Sequence, residues 1–265
     1  YIEYGGKRLR PALISFACEM MGGKCEETIP AGAAVEILHT FFLVHDDIED
    51  YSDIRRGQPA LHIIYGIPQA INMGDYLYMK SYDSLISGMK TWGIDRTINI
   101  LNLYNEMGLR TGEGQAFEME ARDMPLSKID FEVYNRLAIK TAYYTGASLL
   151  AIGGAIAGAS EEEIKKLKEV GYDVGIAFQI QDDILNLEMS ESDESVAPGT
   201  AEGGVGKDFA GDIKEGKRTI MIVHAYQNAS EEDRKVLDEL YGKMEITTEE
   251  KKKVIEIMKK YGSID

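Results

Sequence analysis

Residues 30–49 read PAGAAVEILHTFFLVHDDIE, and this stretch decides the fold class. The apolar run from Ala33 to Val44 is typical of a buried helix. It leads directly into two adjacent aspartates, with a third four residues after the first. Because residues four apart lie on one face of a helix, Asp46 and Asp50 point the same way. The stretch therefore predicts a core helix that ends in a pair of carboxylates.

The same arrangement occurs a second time, where residues 170–186 read VGYDVGIAFQIQDDILN. Here Asp182 and Asn186 share a helical face. Close carboxylates repel one another and are rare on buried helices without a counter-charge. Two such clusters facing each other would form an oxygen-ligand site suited to Mg²⁺, which is commonly shared between carboxylates and substrate phosphates. The alternative is two solvated helix ends with chance acidic runs, but the repetition in like contexts favours the metal site.

The apolar periodicity is helical along nearly the whole chain. Helices are predicted at Pro11–Met21, Pro30–Glu49, Pro68–Lys90, Arg96–Ala121, Phe131–Ala157, Glu161–Leu187, Asp208–Gln227, Glu231–Leu240 and Glu249–Lys260. Capping-box patterns begin two of them, at Ser160 and Thr247. Long helices with short connections predict an all-α protein, one large bundle of antiparallel helices around a central cavity. No linker divides the chain, so residues 1–265 are expected to form a single domain.

One segment departs from this pattern. Residues 188–206 read EMSESDESVAPGTAEGGVG and have almost no large apolar side chains. This composition is typical of a loop, either a surface insert or a lid over the acidic site.

Composition narrows the class of partner. The net charge of −16 and the pI of about 4.8 argue against nucleic acid or an anionic membrane as a general partner. The two cysteines suggest no disulfide framework and fit a reducing cytosol, so a cytoplasmic location is expected. No run of 18 apolar residues is present, and stable membrane insertion is not expected.

Basic residues alternate with the two acidic motifs along the chain. A Gly-Gly pair followed by three cations in four residues precedes the first motif, and Arg55 and Arg56 follow it. Lys140 comes later, and Lys207, Lys214, Lys217 and Arg218 follow the second motif. Each base alone is an ordinary surface residue. The order of base, acid, base, acid and base indicates a phosphorylated substrate held by metal and by cations.

Six ordered motifs resemble the trans-isoprenyl diphosphate synthases of the polyprenyl synthetase family. They are GGKRLRP at Gly5–Pro11, HTFFLVHDDIEDYSDIRRGQPALH at His39–His62, GEGQ at Gly112–Gln115, KTA at Lys140–Ala142, FQIQDDILN at Phe178–Asn186 and GKDFAGDIKEGKRT at Gly206–Thr219. The family is all-α, usually homodimeric and Mg²⁺-dependent. The resemblance implies condensation of isopentenyl diphosphate with an allylic diphosphate, aided by three Mg²⁺ ions.

The resemblance also implies a role for each matching residue. Mg²⁺ would be bound by the two acidic motifs, through Asp46, Asp47, Asp50, Asp182, Asp183 and Asn186. The allylic diphosphate would be held by Arg55, Lys140, Lys207 and Lys217. Isopentenyl diphosphate would be held by Lys7, Arg10, His39 and Arg56. Near the reacting carbons and the allylic metal site, the resemblance places Thr141, Gln179 and Gln115.

The sequence departs from the family pattern in three places. Asn186 stands where the second motif usually has a third Asp, so somewhat weaker metal binding is expected. The insert at 188–206 is longer than the usual connection. Both ends look short, and further terminal helices are expected in the complete protein.

Two adjacent rings precede the first motif by one helical turn. In the family the product grows down a hydrophobic tunnel whose floor lies there, so Phe41 and Phe42 should stop the chain early. The resemblance then favours a fifteen-carbon product, farnesyl diphosphate, with geranylgeranyl or a longer diphosphate as the alternative. The other classes considered are a terpene cyclase, which would leave the GGKRLRP segment without a purpose, and an inactive regulatory subunit, which only Asn186 supports.

Overall fold

The computed structural model describes residues 1, 5–188 and 209–264, and the described chain is almost entirely helical. The all-α prediction is therefore confirmed. In chain order the elements are α1 (Leu9–Met20), α2 (Ile29–Glu49), β1 (Ile54–Arg55), β2 (Gln58–Pro59), α3 (Leu61–Tyr65), α4 (Ile67–Ser87), α5 (Met89–Trp92), α6 (Ile94–Arg122), α7 (Phe131–Ala142), a π-helical turn (Tyr143–Ala147), α8 (Ser148–Ala157), α9 (Glu161–Glu188), α10 (Gly211–Glu215), α11 (Ile220–Asn228), α12 (Glu231–Leu240) and α13 (Thr248–Lys260). Short 3₁₀ turns lie at Cys25–Thr28 and Leu126–Lys128.

Helix α2 lies in the core, as its apolar run predicts. It packs against α4 and α1, and Val35, Leu38 and Val44 are essentially excluded from solvent. The segment Cys25–Glu49 is long and apolar enough to cross a membrane, although core helices of soluble proteins pass the same test. Here α1 and α4 cover part of its apolar face, and 44% of the apolar window is buried.

The buried side chains form two main clusters. One joins residues of α1, α2, α6 and α8, and the other joins residues of α11, α12 and α13 with the start of α7. The acidic motifs lie at the ends of α2 and α9, which place their carboxylates beside these cores and not on a remote surface.

A short antiparallel hairpin follows α2, and the helical periodicity did not predict it. Ile54 pairs with Pro59 and Arg55 with Gln58. Arg56 has φ 53° and the next residue is a glycine with φ 70°, which is the left-handed geometry of a two-residue hairpin turn. The hairpin turns the chain back, so that Arg55 contacts Asp47 near the end of α2 and Arg56 contacts Gly5.

The segment from α7 to α8 touches α9 backbone to backbone. A Cβ added at Gly146 in the π-helical turn would lie 1.8 Å from the Gly171 carbonyl oxygen, and one at Gly175 would lie 2.6 Å from Ala142 Cα. Only glycine permits this approach. The contact brings α7 and α9 close enough for their polar side chains to meet.

Three predicted helices have different bounds. Pro68–Lys90 ends at Ser87, where Gly88 separates it from α5, and Phe131–Ala157 is interrupted by the π-helical turn. Asp208–Gln227 is wrong as one helix: in the part the structure describes, α10 ends at Gly216 with φ 67°, and Thr219 caps a new helix. The break matters because it places residues 217 and 218 on a turn.

The predicted helix starts at Ser160 and Thr247 are confirmed by reciprocal hydrogen bonds with Glu163 and Glu250. The prediction of a single domain stays a prediction.

Candidate active site

The carboxylate pair at the end of α2 lies among further acids. Burial raises the pKa of Asp46 to about 6, with Asp50, Glu49 and Glu118 adding to the rise while Lys140 opposes it. These four carboxylates have two basic neighbours, Lys140 and Arg122, so the cluster is short of positive charge. A divalent cation would supply that charge, so the donor set fits the metal that the sequence predicts.

One face of α6 completes this cluster, and three of its residues contact it at helical spacing. Gln115 donates to Glu49 at 2.6 Å and accepts a hydrogen bond from Lys140. Arg122 donates to Asp50 at 2.9 Å and to Glu118 at 3.3 Å. Gln115 was predicted from its motif, whereas Glu118 and Arg122 were not predicted. Their spacing of three and seven residues from Gln115 was the available signal.

Glu118 is the shared counter-ion of this face. Its carboxylate lies 3.3 Å from Lys140 Nζ and 3.3 Å from Arg122 Nη2. Burial raises its pKa, but Lys140, Lys217 and Arg122 outweigh that effect and lower the pKa to about 2. Glu118 therefore stays ionised and holds basic residues in place.

Asp47 points away from its neighbours in the motif. It is fully buried; one oxygen accepts from Arg55 Nε at 2.7 Å and the other from the Tyr1 hydroxyl at 2.5 Å. Arg55 is therefore held by Asp47 in this structure. This ion pair fixes the hairpin to α2, and the roles of Asp47 as a metal ligand and of Arg55 as a diphosphate ligand stay predictions.

The second motif divides into exposed and buried members. Asp182 is exposed, while Asp183 is buried and pairs with Lys217 at 3.2 Å. Lys217 also lies 3.7 Å from Asp212, and these carboxylates raise its pKa against the effect of burial. Asn186 is buried, and its amide oxygen accepts from the Asp212 backbone N–H at 3.2 Å.

A polar chain joins α7 to the second motif. The Thr141 hydroxyl donates to the Gln179 amide oxygen at 2.6 Å, and the Gln179 amide nitrogen donates to Asp183 at 2.6 Å. The structure thus brings together two residues that were predicted to lie near the reacting carbons. These bonds orient the Gln179 amide, with its oxygen toward Thr141 and its nitrogen toward Asp183.

The two motifs act on the same groups. Lys217 pairs with the second motif, and the charge of Glu118 also raises the pKa of Lys217. Glu118 in turn contacts Lys140 beside the first motif. Burial raises the pKa of Glu215 to about 7, and the charges of Asp50 beside the first cluster and Asp212 beside the second add to the rise. The predicted approach of the two acidic clusters is therefore visible in their shared neighbours.

A separate basic site lies where α1 meets α2. Arg10 donates toward His39 Nε2 and the Thr145 hydroxyl, each at 3.3 Å, and its guanidinium lies 4.5 Å from the Tyr144 ring centroid. Burial, then Arg10, Arg56, Arg55 and Arg8, lower the pKa of His39 to about 2. Within the described residues, Arg10 Nε and His39 Nδ1 are buried without a hydrogen-bond partner. Two unsatisfied donors are suited to an anion.

The loop of the hairpin closes over this basic site. Arg56 donates to the Gly5 carbonyl, and its Nη2 lies 3.4 Å from where a Gly6 Cβ would stand. Gly6 has φ 143°, a backbone conformation that other residues rarely adopt, so glycine is needed there. Lys7 is exposed nearby in sequence.

Phe41 and Phe42 both lie half-buried beneath the first motif. The Phe41 ring stands 5.3 Å from Tyr78 on α4, whereas the Phe42 ring stands 5.3 Å from Tyr144 on the π-helical turn. The two rings therefore contact different walls. Lys207 lies outside the described residues.

Among the described residues, no group of three or more His, Cys, Asp or Glu side chains is arranged as a closed metal site. The structure instead has groups of carboxylates near two helix ends and a separate basic site. That combination defines a class of all-α enzymes in which metal and cations together bind a substrate phosphate.

The comparisons with known proteins identify the family. The model of the family described as Polyprenyl synthetase matches residues 1–258. The geranylgeranyl diphosphate synthase of Sulfolobus acidocaldarius is 36% identical over 261 residues, covering 97% of this chain and 74% of that protein. The chain belongs to the polyprenyl synthetase family, and the predicted resemblance is confirmed.

Solved structures agree in fold. Geranylgeranyl pyrophosphate synthetase from Pyrococcus horikoshii matches with a TM-score of 0.85 and 33% identity, covering 98% of this chain and 75% of that one. The Corynebacterium glutamicum geranylgeranyl pyrophosphate synthase, solved with isoprenyl diphosphate and magnesium, matches with a TM-score of 0.85 and 26% identity, covering 100% and 77%. The chain is a prenyltransferase with the all-α isoprenoid synthase fold.

Proposed function

We propose that this prenyltransferase condenses isopentenyl diphosphate with an allylic diphosphate to give geranylgeranyl diphosphate. The observation that carries the proposal is the pairing of an acidic, metal-type cluster with a separate buried basic site. A terpene cyclase binds one diphosphate, whereas the two sites of this chain could bind two. The named relatives support the twenty-carbon product, and the farnesyl product expected from the sequence is not confirmed.

The residues that would hold Mg²⁺ are Asp46 and Asp50 on one helix end and the exposed Asp182 on the other, with Asp50 also accepting from Arg122. Asp47, Asp183 and Asn186 are buried and accept hydrogen bonds from Arg55, Lys217 and the Asp212 backbone, so we assign them structural roles. When bound, Mg²⁺ neutralises diphosphate charge and so makes it a better leaving group. The number of ions stays a prediction.

The chain's own residues bind and orient the two substrates. Lys140 is positioned by Glu118 and Gln115 to meet the allylic diphosphate, and Lys217 approaches from the second motif. Arg10 and His39 offer buried donors to isopentenyl diphosphate. Because His39 is neutral, it serves as a hydrogen-bond donor through Nδ1 and adds no charge.

The Thr141 hydroxyl and the Gln179 amide carry dipoles without net charge. Placed beside the reacting carbons, such dipoles stabilise positive charge on an allylic group without attacking it. In the described site no side chain is positioned as a dedicated general base, and the departing diphosphate is the proton acceptor that best fits this arrangement.

The Phe41 and Phe42 pair is the observation that favours a second, shorter product. If both rings close the tunnel, growth stops at fifteen carbons. If only one does, as their contacts with different walls suggest, the chain grows further before it meets α4 or the π-helical turn.

Product analysis tests the proposal. Purified protein is incubated with Mg²⁺, isopentenyl diphosphate and, separately, dimethylallyl, geranyl or farnesyl diphosphate, and the chain lengths are resolved after dephosphorylation. Elongation of all three to twenty carbons is expected. Termination at fifteen carbons would retain the transferase and reject the product, and no elongation by folded protein would reject the transferase. The homodimer and the cytoplasmic location stay predictions.

A further inference from the structure

Arg218 is buried, and within the described residues its side chain donates hydrogen bonds to backbone carbonyl groups alone. It donates to the carbonyls of Ala121 at 3.1 Å, Arg122 at 2.8 Å, Met124 at 2.7 Å and Gly216 at 2.7 Å. The last carbonyl groups of a helix have no partner within the helix. Arg218 therefore caps the C-terminal end of α6 through Nε and Nη2, while Nη1 donates to Gly216 on its own turn.

The residues on both sides of Arg218 also contact the acidic motifs. On α6, Arg122 gives its carbonyl to Arg218 while its guanidinium holds Asp50 of the first acidic motif at 2.9 Å. On the turn after α10, Lys217 precedes Arg218 and holds Asp183 of the second motif at 3.2 Å. A continuous path of bonds thus runs from one acidic motif to the other through Arg218.

The turn that carries Arg218 is fixed from its other side as well. The Tyr241 hydroxyl donates to the Lys217 carbonyl, and the Tyr241 ring lies 5.9 Å from the Arg218 guanidinium. The Lys217 N–H bonds back to the Asp212 carbonyl at 3.0 Å. Few movements are open to Lys217 while Arg218 and Tyr241 stay in place.

We propose that Arg218 is a positioning residue that sets the separation of the two acidic motifs across the site. It touches neither substrate nor metal, and acts through Arg122 on one wall and Lys217 on the other. A diphosphate shared between metal ions on both walls requires a fixed spacing, and a misplacement of about 1 Å lowers turnover on the order of 100-fold. This inference rests on the proposed function only for the identity of the bound diphosphate.

A matched control exists within the chain. Arg234 also caps a helix end, donating to the carbonyls of Tyr226 at 2.9 Å and Gln227 at 2.8 Å at the end of α11. None of the acidic or basic site residues is among its contacts. Arg218→Gln and Arg234→Gln therefore remove the same chemistry, a guanidinium from a helix C-terminus, near the site and far from it.

The experiment measures Mg²⁺-dependent thermal stabilisation of the whole protein by inorganic diphosphate, together with elongation kinetics. For Arg218→Gln, we expect at least a tenfold rise in the Mg²⁺ concentration giving half-maximal stabilisation, and a ten- to hundredfold fall in kcat, on the order expected for misplaced groups. The KM for isopentenyl diphosphate should not change, because Arg10 and His39 lie on α1 and α2. Arg234→Gln should lower the melting temperature alone.

Two further variants keep the test decisive if Arg218→Gln folds poorly. Arg218→Lys retains a charged donor that can reach fewer carbonyls, and it should give an intermediate shift in the Mg²⁺ dependence. Tyr241→Phe removes the bond to the Lys217 carbonyl and should shift the Mg²⁺ dependence in the same direction. Equal effects of Arg218→Gln and Arg234→Gln on Mg²⁺ dependence would overturn the inference. Wild-type protein that is stabilised by Mg²⁺ and diphosphate but elongates nothing would reject the proposed function and leave this comparison intact.

Discussion

Gly146→Ala is predicted to separate α9 from the π-helical turn. The new Cβ would stand 1.8 Å from the Gly171 carbonyl oxygen, while ordinary contacts begin near 3.4 Å. The obstacle is backbone, so the two segments must part by about 1.5 Å, and overpacking of this kind costs about 1–3 kcal/mol. The Thr141–Gln179 hydrogen bond, 2.6 Å long, crosses the same contact and should be lost.

The assay pairs urea unfolding, followed by circular dichroism, with elongation rates. We expect the free energy of unfolding to fall by about 2 kcal/mol or more, and turnover to fall with it. Gly108→Ala is the control, because a Cβ there meets nothing within 4 Å and helix propensity should add about 0.5–1 kcal/mol. A Gly146→Ala protein as stable as wild type would refute the backbone contact between these elements.

Three further results are expected from single sites. Phe41→Ala, Phe42→Ala and the double variant should give a longer product whenever the removed ring is one that closes the tunnel. An unchanged product profile in all three variants would show that neither ring forms the tunnel floor. The folded-state pKa of His39 is depressed to about 2, so protein stability should fall as pH drops below the unfolded value near 6.5. From about pH 7.5 to 5.5 wild type should lose about 1.4 kcal/mol that His39→Gln retains, and parallel pH curves would contradict this. Asn186→Ala should lower the free energy of unfolding by about 1–3 kcal/mol, because it leaves the Asp212 N–H unsatisfied. The Mg²⁺ dependence of thermal stabilisation should stay within about twofold of wild type. A large shift in that dependence would show that Asn186 is a metal ligand.

The long helices could be predicted because their signals are local. The apolar run before Asp46, the capping box at Thr247 and the spacing of Asp46 and Asp50 each depend on a few neighbouring residues. The family motifs then supplied the candidate site residues, whose roles stay predictions. The break at Gly216 was harder to predict, because a glycine within an apolar pattern is compatible with either a helix or a turn until its φ is known.

The sequence by itself determined the helical class, the two acidic motifs and the alternation of acid and base, because periodicity and residue type are properties of short segments. Only the tertiary structure decided which carboxylates are buried in ion pairs and which are exposed. Asp182 and Asp183 are adjacent and identical in the sequence, yet Asp183 is buried against Lys217 and Asp182 is exposed. It also decided the roles of Glu118, Arg122 and Arg218, whose partners lie far away in sequence. Ionic and hydrogen-bonding roles depend on distance and burial, and these are set only when the helices pack.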